Sequence, residues 1–259
     1  MKIASWNVNS IRTRLEQLSA WLARAAPDVV CLQETKVEDE RFPVDAIGEA
    51  GYRAIFSGQK GYNGVAILTR FGLVAEAPKL GLDGDDEAAG RRAIACTVDG
   101  VRIIGVYVPN GQAVGSPAFA TKLDWFRRLR AELTTHHTPD EPLLLCGDFN
   151  VAPEAIDVYD PAAWDGHVLF HPDERAALRE LQTFGLVDIV REKHADAAGL
   201  YSWWDYRQGR FRRNQGLRID LALVTPKLAA CCTAAEIDRR PRELEKPSDH
   251  APVVVEFDL

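Results

Sequence analysis

Short apolar runs recur from one end of the chain to the other: KIASWN, DVVCLQ, YRAIFS, GVAILT, RRAIACTV, VRIIGVYV, PLLLCGDF, LRIDLALV and APVVVEF. They are rich in Val, Ile and Leu and bounded by Gly, Pro, Asp or Asn, which is the signature of buried strands. Asp99-Gly100, in TVDGVRI, joins two of them as a tight hairpin. Helical periodicity is sparser. Residues 14–25 place Leu15, Leu18, Trp21 and Leu22 on one face before Pro27 stops the pattern. Residues 117–135 do the same with Phe119, Leu123, Phe126, Leu129 and Leu133, and residues 172–184 with Leu178, Leu181 and Phe184 behind Pro172. Strands outnumber helices, and hairpins argue against a doubly wound parallel sheet. The pattern predicts two packed, mainly antiparallel sheets flanked by helices. No linker, low-complexity run or internal repeat divides the chain, so residues 1–259 read as one domain.

At 259 residues and 46% hydrophobic content the chain can bury a large core. A net charge of −7 argues against a generic DNA-coating protein, because non-specific affinity comes from neutralising phosphates. A local basic surface is compatible with it. Cys31, Cys96, Cys146, Cys231 and Cys232 are odd in number, lie in apolar contexts and form no CxxC pattern, which suits free thiols in a reducing compartment and speaks against zinc. The N-terminal MKIASWNVNS has no signal-peptide core, and no stretch reaches membrane-spanning length. The expectation is a soluble cytoplasmic protein with no membrane contact.

Polar residues gather where the apolar runs end. SWNVN closes on Asn7 and Asn9, CLQETK on Gln33 and Glu34, VYVPNG carries Tyr107, and LLLCGDFNVAP emerges onto Asp148 and Asn150. Singly, such residues are turn chemistry, caps or half-buried aromatics. Asp220 differs. Flanked by Leu217, Ile219, Leu221 and Leu223, it is buried on at least one side, which is costly without a partner. His250, in PSDHAP, is the histidine in similarly sharp context, and the two are expected to pair. Glu34 and Asp148 with amide side chains make a hard-oxygen set suited to Mg²⁺. There is no nucleophile elbow and no GxxxxGK[ST], so metal-assisted attack of water on a phosphoester fits best.

Taken in order, WNVN, LQETK, GQKGYNGVAIL, GDFN, YSWWDYR, GLRIDL and EKPSDHAPV resemble the exonuclease III family of AP endonucleases, within the endonuclease/exonuclease/phosphatase group, over essentially the whole chain. The resemblance implies a four-layer, deoxyribonuclease I-like α/β sandwich whose strand ends meet at one edge. It implies Glu34 as the principal metal carboxylate with Asn7 beside it, and Asp148 and Asn150 as the pair that orients and activates water. An extended segment would put those two on one side. Tyr107 and His250 are implied as phosphate contacts, Asp220 as the partner of His250, and Asp249 as an aid on the metal or leaving-group side. Asp148, Asn150, Asp249 and His250 thus join Asn7 and Glu34 as candidate metal neighbours. Pro247-Ser248 is expected to break the strand so that Asp249 and His250 reach one phosphate. Two departures stand out. Asn9 occupies a position where human-type relatives carry an acid, and Leu217 one where they carry an aromatic, so the pocket for a baseless sugar is expected from Trp203, Leu217 and Ile219.

The implied activity is Mg²⁺-dependent hydrolysis, with Mn²⁺ as a substitute, of double-stranded DNA 5′ to abasic sites and at damaged 3′ ends, by a monomer of bacterial type. Arg207, Arg210, Arg212, Arg213 and Arg218, with Arg91-Arg92 and Arg239-Arg240, are expected to position the DNA backbone. Two other classes compete. A phosphatase of inositol phosphates or phospholipids would carry membrane-touching apolar loops, and none is found; a non-catalytic nucleic-acid module would lack Glu34, Asp148 or His250, and all three are present.

Overall fold

The computed structural model describes residues 1–86 and 89–259. Among them, the strands are β1 (Lys2–Asn7), β2 (Val29–Gln33), β3 (Tyr52–Ser57), β4 (Val65–Arg70), β5 (Glu76–Leu80), β6 (Ala93–Val98), β7 (Val101–Tyr107), β8 (Leu143–Asp148), β9 (Val187–Asp188), β10 (Asp220–Val224), β11 (Cys232–Ile237) and β12 (Val253–Phe257), of which β5, β9 and β11 lie outside the apolar runs of the sequence. The helices are α1 (Leu15–Ala25), α2 (Val44–Glu49), α3 (Pro117–His136), α4 (Pro161–Trp164), α5 (Pro172–Gln182), α6 (Ile189–Lys193) and α7 (Pro226–Ala229). The hairpin expected at Asp99-Gly100 links β6 to β7, with both residues at positive φ (47° and 77°). Helix α1 ends at Ala26, left-handed at φ 45°, ahead of Pro27. Helix α3 starts on Ser116, whose hydroxyl accepts from Phe119 N–H, with Pro117 in the first turn. Among the described residues, no helix is long and apolar enough to cross a membrane.

Two six-stranded sheets result, in the orders β11-β12-β1-β2-β4-β3 and β5-β6-β7-β8-β10-β9. Each is antiparallel except for a central parallel pair, β1 with β2 and β7 with β8. The inward faces meet in a core of Ile3, Val29, Cys31, Ile67, Ile103, Leu144, Cys146 and Val253. Helices α1 and α2 cover one outer face, with Leu18, Trp21, Leu22 and Ile47, while α3 and α5 cover the other, with Phe126, Leu129, Leu133, Leu178 and Leu181. This is the four-layer sandwich expected. In α3, Leu123 is only half-buried and Lys122 is fully buried instead, a lysine inside the apolar stripe.

Parity positions the site. Alternate residues of a strand face the same side, so the row Ile3, Ser5, Asn7 faces between the sheets, as do Cys31 and Gln33 on β2, Ile103 and Tyr107 on β7, Cys146 and Asp148 on β8, and Ala222 and Asp220 on β10. Deep positions of these rows are apolar and rim positions polar. Because β10 runs antiparallel to β8, its first residue, Asp220, lies opposite the last residue of β8, Asp148. The C-terminal ends of the parallel pairs and the N-terminal ends of their antiparallel neighbours therefore share one rim.

Candidate active site

Asn7 holds the two metal-type carboxylates in place. Its Nδ2 donates to Glu34 Oε1 and to Asp148 Oδ2, both at 2.9 Å, and its Oδ1 accepts from Asn9 N–H at 3.0 Å. Asn7 thus reaches the carboxylates through nitrogen, with its oxygen turned to the backbone. Glu34 lies just past β2 at φ 51°, a left-handed conformation that costs a non-glycine residue energy. The turn is clamped from both sides: Ser10 N–H donates to Glu34 C=O, Thr35 N–H to Gly64 C=O, and Lys36 N–H to Asn63 C=O. Gly64 is required there, because a Cβ would lie 2.1 Å from Thr35 Oγ1. Burial works to raise the Glu34 pKa, but the Lys36 ammonium, 2.6 Å from Oε2, and the Asn7 amide outweigh it and hold the carboxyl below its ordinary range.

Asp148 is fully buried. The preceding Gly147 cannot be replaced without collision, since a Cβ would lie 1.9 Å from Val106 C=O. Burial, together with Asp220 and Glu34, pushes the Asp148 carboxyl up to about 7 against the opposing pull of His250. Asn150 departs from the extended geometry expected of it. At φ 51° it turns back, and its own N–H donates to Asp148 Oδ1 at 2.9 Å. The pair stays adjacent through that turn rather than through strand alternation. The Asn150 amide donates to Val108 C=O and accepts from Asn110 Nδ2, each at 3.0 Å.

His250 Nδ1 lies 2.8 Å from Asp220 Oδ2, the pairing expected from the burial of Asp220. The other carboxylate oxygen, Oδ1, has no hydrogen-bond partner among the described residues, and the imidazole offsets this buried charge. Burial alone would lower the His250 pKa; Asp220 and Asp148 overcome it and raise it to about 10, which makes the ring an imidazolium. His250 Nε2 faces Asp148 Oδ2 at 3.7 Å. The segment is aimed by Ser248, whose hydroxyl donates to Asn7 C=O at 2.6 Å and accepts from His250 N–H at 3.2 Å. Asp249 points elsewhere: its Oδ1 accepts from Asn9 Nδ2 and its Oδ2 from Trp203 Nε1. It stands outside the cluster in which ligand atoms of Glu34, Asp148 and His250 lie within 4.8 Å of one another. Glu34 and Asp148, steadied by the Asn7 amide, can hold a divalent cation, while the imidazolium of His250, a donor at both ring nitrogens, stands beside it as a positive charge rather than a ligand.

Tyr107 ends β7 beside Asp148, and burial, then the neighbouring Glu34 and Asp148 carboxylates, raise its pKa so that the phenol stays a donor. The Arg92 guanidinium sits 4.7 Å over its ring, while Arg91 is exposed. Arg212 and Arg213 are exposed, and Trp203 is half-buried. Two expectations need correction. Leu217 and Ile219 are 0% and 1% exposed, packed with Ala152, Val158, Leu169 and Phe170, because bridges from Trp203 and Val158 close over Leu217; they form a sealed apolar floor rather than an open pocket. Arg218 is no DNA-facing residue, since its guanidinium is fully buried against Asp157 and Asp188, 2.7 Å from each.

Sequence reasoning passed over Lys36 and Ser202, and read Ser248 only as part of the break ahead of Asp249. Ser202 Oγ accepts from both Ile219 and Asp220 N–H, fixing the strand end that carries the aspartate. All three sit inside quoted motifs, Lys36 and Ser248 two residues from Glu34 and His250 and Ser202 next to Trp203 in YSWWDYR, and that adjacency was the available signal.

The sequence profile of the Endonuclease/Exonuclease/phosphatase family matches residues 4–250. The chain is 37% identical to exodeoxyribonuclease III of Haemophilus influenzae over 99% of this chain and 100% of that one. It is 31% identical to an exodeoxyribonuclease of Bacillus subtilis over 98% of both. Among solved structures, the 3′ phosphatase NExo from Neisseria bound to a product DNA hairpin superposes with TM-score 0.94 at 44% identity, and an AP endonuclease from Archaeoglobus fulgidus with TM-score 0.95 at 40%, each over 100% of both chains. A profile match from β1 to His250, relatives matched end to end and a rim built on the same motifs lead to one conclusion: the chain belongs to the endonuclease/exonuclease/phosphatase family, in its exonuclease III branch.

Proposed function

We propose that this protein is a DNA-repair phosphodiesterase that hydrolyses the backbone 5′ to abasic sites and processes 3′ ends, with Mg²⁺ as its working ion and Mn²⁺ as a substitute. The observation that carries the reading is the convergence of Glu34, Asp148 and His250, drawn from both sheets, within 4.8 Å. Relatives named for exonuclease, 3′-phosphatase and AP-endonuclease work support a shared phosphodiester chemistry.

Glu34 and Asp148 would hold the cation, with Asn7 fixing their separation. Bound there, a divalent ion supplies positive charge to the phosphoryl oxygens and lowers the pKa of water. His250, pinned by Asp220, offers its Nε2–H as a charged donor to the scissile phosphate. Asp148, with Oδ1 tied to Asn150 N–H, keeps Oδ2 toward the reacting space and is placed to accept a proton from the attacking water. Tyr107 remains a neutral hydroxyl donor to phosphate. Arg91, Arg92, Arg212, Arg213 and Trp203 would contact the duplex; no membrane partner is proposed, and the protein would act as a cytoplasmic monomer.

A substrate panel tests this: abasic duplex, blunt duplex, recessed 3′ end, 3′-phosphate and an inositol polyphosphate, each with Mg²⁺ and with Mn²⁺. Turnover is expected on the DNA substrates and not on the inositol phosphate. The reverse preference, or inertness on every DNA substrate, would overturn the reading.

A further inference from the structure

Two arginines of this protein are more than nine-tenths buried, and they are treated very differently. Arg218 has two carboxylates. Arg242, 6% exposed, pairs with none among the described residues, and Asp249 acts on it only from beyond ion-pair distance: its NH2 makes one long bond to Trp204 C=O at 3.4 Å, and its Nε has no partner there. A buried guanidinium without an ion-pair partner is costly. Stacking on Phe211 (4.8 Å), Tyr206 (5.5 Å) and Trp204 (5.9 Å) offsets only part of that cost.

Arg242 lines a cavity of about 530 Å³ between residues 205–212 and 242–247. Arg210 and Arg212 also line it, against Asp205, which is paired to Arg207, and the exposed Glu243. The cavity adjoins the active site: in its wall, Tyr206 Oη donates to Pro247 C=O at 2.8 Å while accepting from Asn9 Nδ2 at 3.3 Å, and behind the wall Trp204 N–H donates to Asp249 C=O at 3.0 Å.

We infer that this cavity is a second phosphate subsite, in which Arg242, helped by Arg212 at the lip, takes a backbone phosphate of the bound DNA away from the bond that is cut. The subsite rests on the proposed DNA phosphodiesterase function. The direct ion-pair partner that Arg242 lacks is then supplied by the substrate, and the aromatic ring stack keeps the guanidinium in position before DNA arrives.

The test is equilibrium binding in EDTA, where cleavage is off, of abasic duplexes each carrying one neutral methylphosphonate at a different position. Wild-type protein, Arg242→Met, Arg242→Lys and Arg212→Met are compared across a salt series, with thermal melting as a check on folding. One methylphosphonate away from the scissile position should weaken wild-type binding roughly 10- to 100-fold, as expected for a charge-assisted bond. Arg242→Met should weaken the all-phosphate duplex similarly, lose sensitivity at that position alone, and lower the salt slope by about 0.9. Arg242→Lys should restore the slope. Arg212→Met, on the exposed lip, leaves the buried stack intact and should shrink the penalty at that same position. A methylphosphonate profile unchanged in Arg242→Met and Arg212→Met would overturn the subsite alone. Wild-type protein without salt-dependent affinity for any duplex would overturn it together with the function on which it rests.

Discussion

Replacing Asp220 with Asn keeps shape and volume but removes the charge 2.8 Å from His250 Nδ1. In the native site the His250 pKa stands near 10, against 6.5 for a free imidazole, although burial opposes the charge. That interval corresponds to roughly 5 kcal/mol of preference for the imidazolium. Asp220 is the largest favourable contributor and Asp148 the next, so losing Asp220 lowers the His250 pKa and weakens every step that needs the charged ring. An amide NH₂ facing Nδ1 also favours the wrong ring tautomer, which brings the expected loss in single-turnover rate to about 10²–10⁴-fold. The sign for pH follows. A raised histidine pKa means the charged form persists until pH climbs through it, so wild-type rate should hold into the alkaline range, whereas the variant, with burial opposed only by Asp148 and Asp249, should lose rate at a lower pH than wild type. The assay is single-turnover cleavage of an abasic duplex with Mg²⁺ from pH 6 to 10, with circular dichroism to show retained fold. Near-native turnover with an unmoved alkaline limb would refute the reasoning.

Lys122→Met breaks a fully buried ion pair with Glu174 and strips the ammonium from Asn110 and Asn150 C=O; it should cost about 3–5 kcal/mol in urea denaturation, and adding Glu174→Met should recover much of that. Burial works to raise the Asp238 pKa, but bonds from Arg240 and Trp21 and the Arg24 charge leave it depressed. Its contribution is therefore complete above the unfolded carboxylate value of about 4 and fades as pH falls through the folded one, so Asp238→Asn should destabilise by about 1–3 kcal/mol at pH 7 and by much less near pH 2. Gly147→Ala, with its new Cβ 1.9 Å from Val106 C=O, should lose soluble folded protein on expression, and normal yield with native melting would contradict that.

Layering was legible because it depends on period and length: β-branched runs closed by Asn, Asp or Gly mark strands, and the stripe Leu18, Trp21, Leu22 marks a helix that covers one. The Asp220–His250 pair was legible for a physical reason, since an acid among leucines must find a partner. Conformations that break periodicity were not. Glu34 at positive φ is set by tertiary bonds with Ser10 and by Thr35 to Gly64, which no local letter encodes, while the Asn150 turn is local, an Asp-x-Asn pattern that an extended reading of GDFN overlooks. Arg218 misled because it sits among exposed arginines, while its partners Asp157 and Asp188 are some thirty or more residues away in sequence. Leu217 and Ile219 were correctly placed near Trp203 yet read as open, because closure depends on Val158 and Phe170 arriving from a distant loop.

Titrating Mn²⁺ into metal-free protein, and following cleavage of an abasic duplex at each step, interrogates the rim most directly. One ion should bind wild-type protein and restore EDTA-abolished cleavage in parallel, and Glu34→Gln should weaken both by at least tenfold while melting normally. Cleavage that persists in EDTA, or Glu34→Gln binding and cutting as wild type does, would show that Glu34, Asp148 and His250 meet for some other purpose.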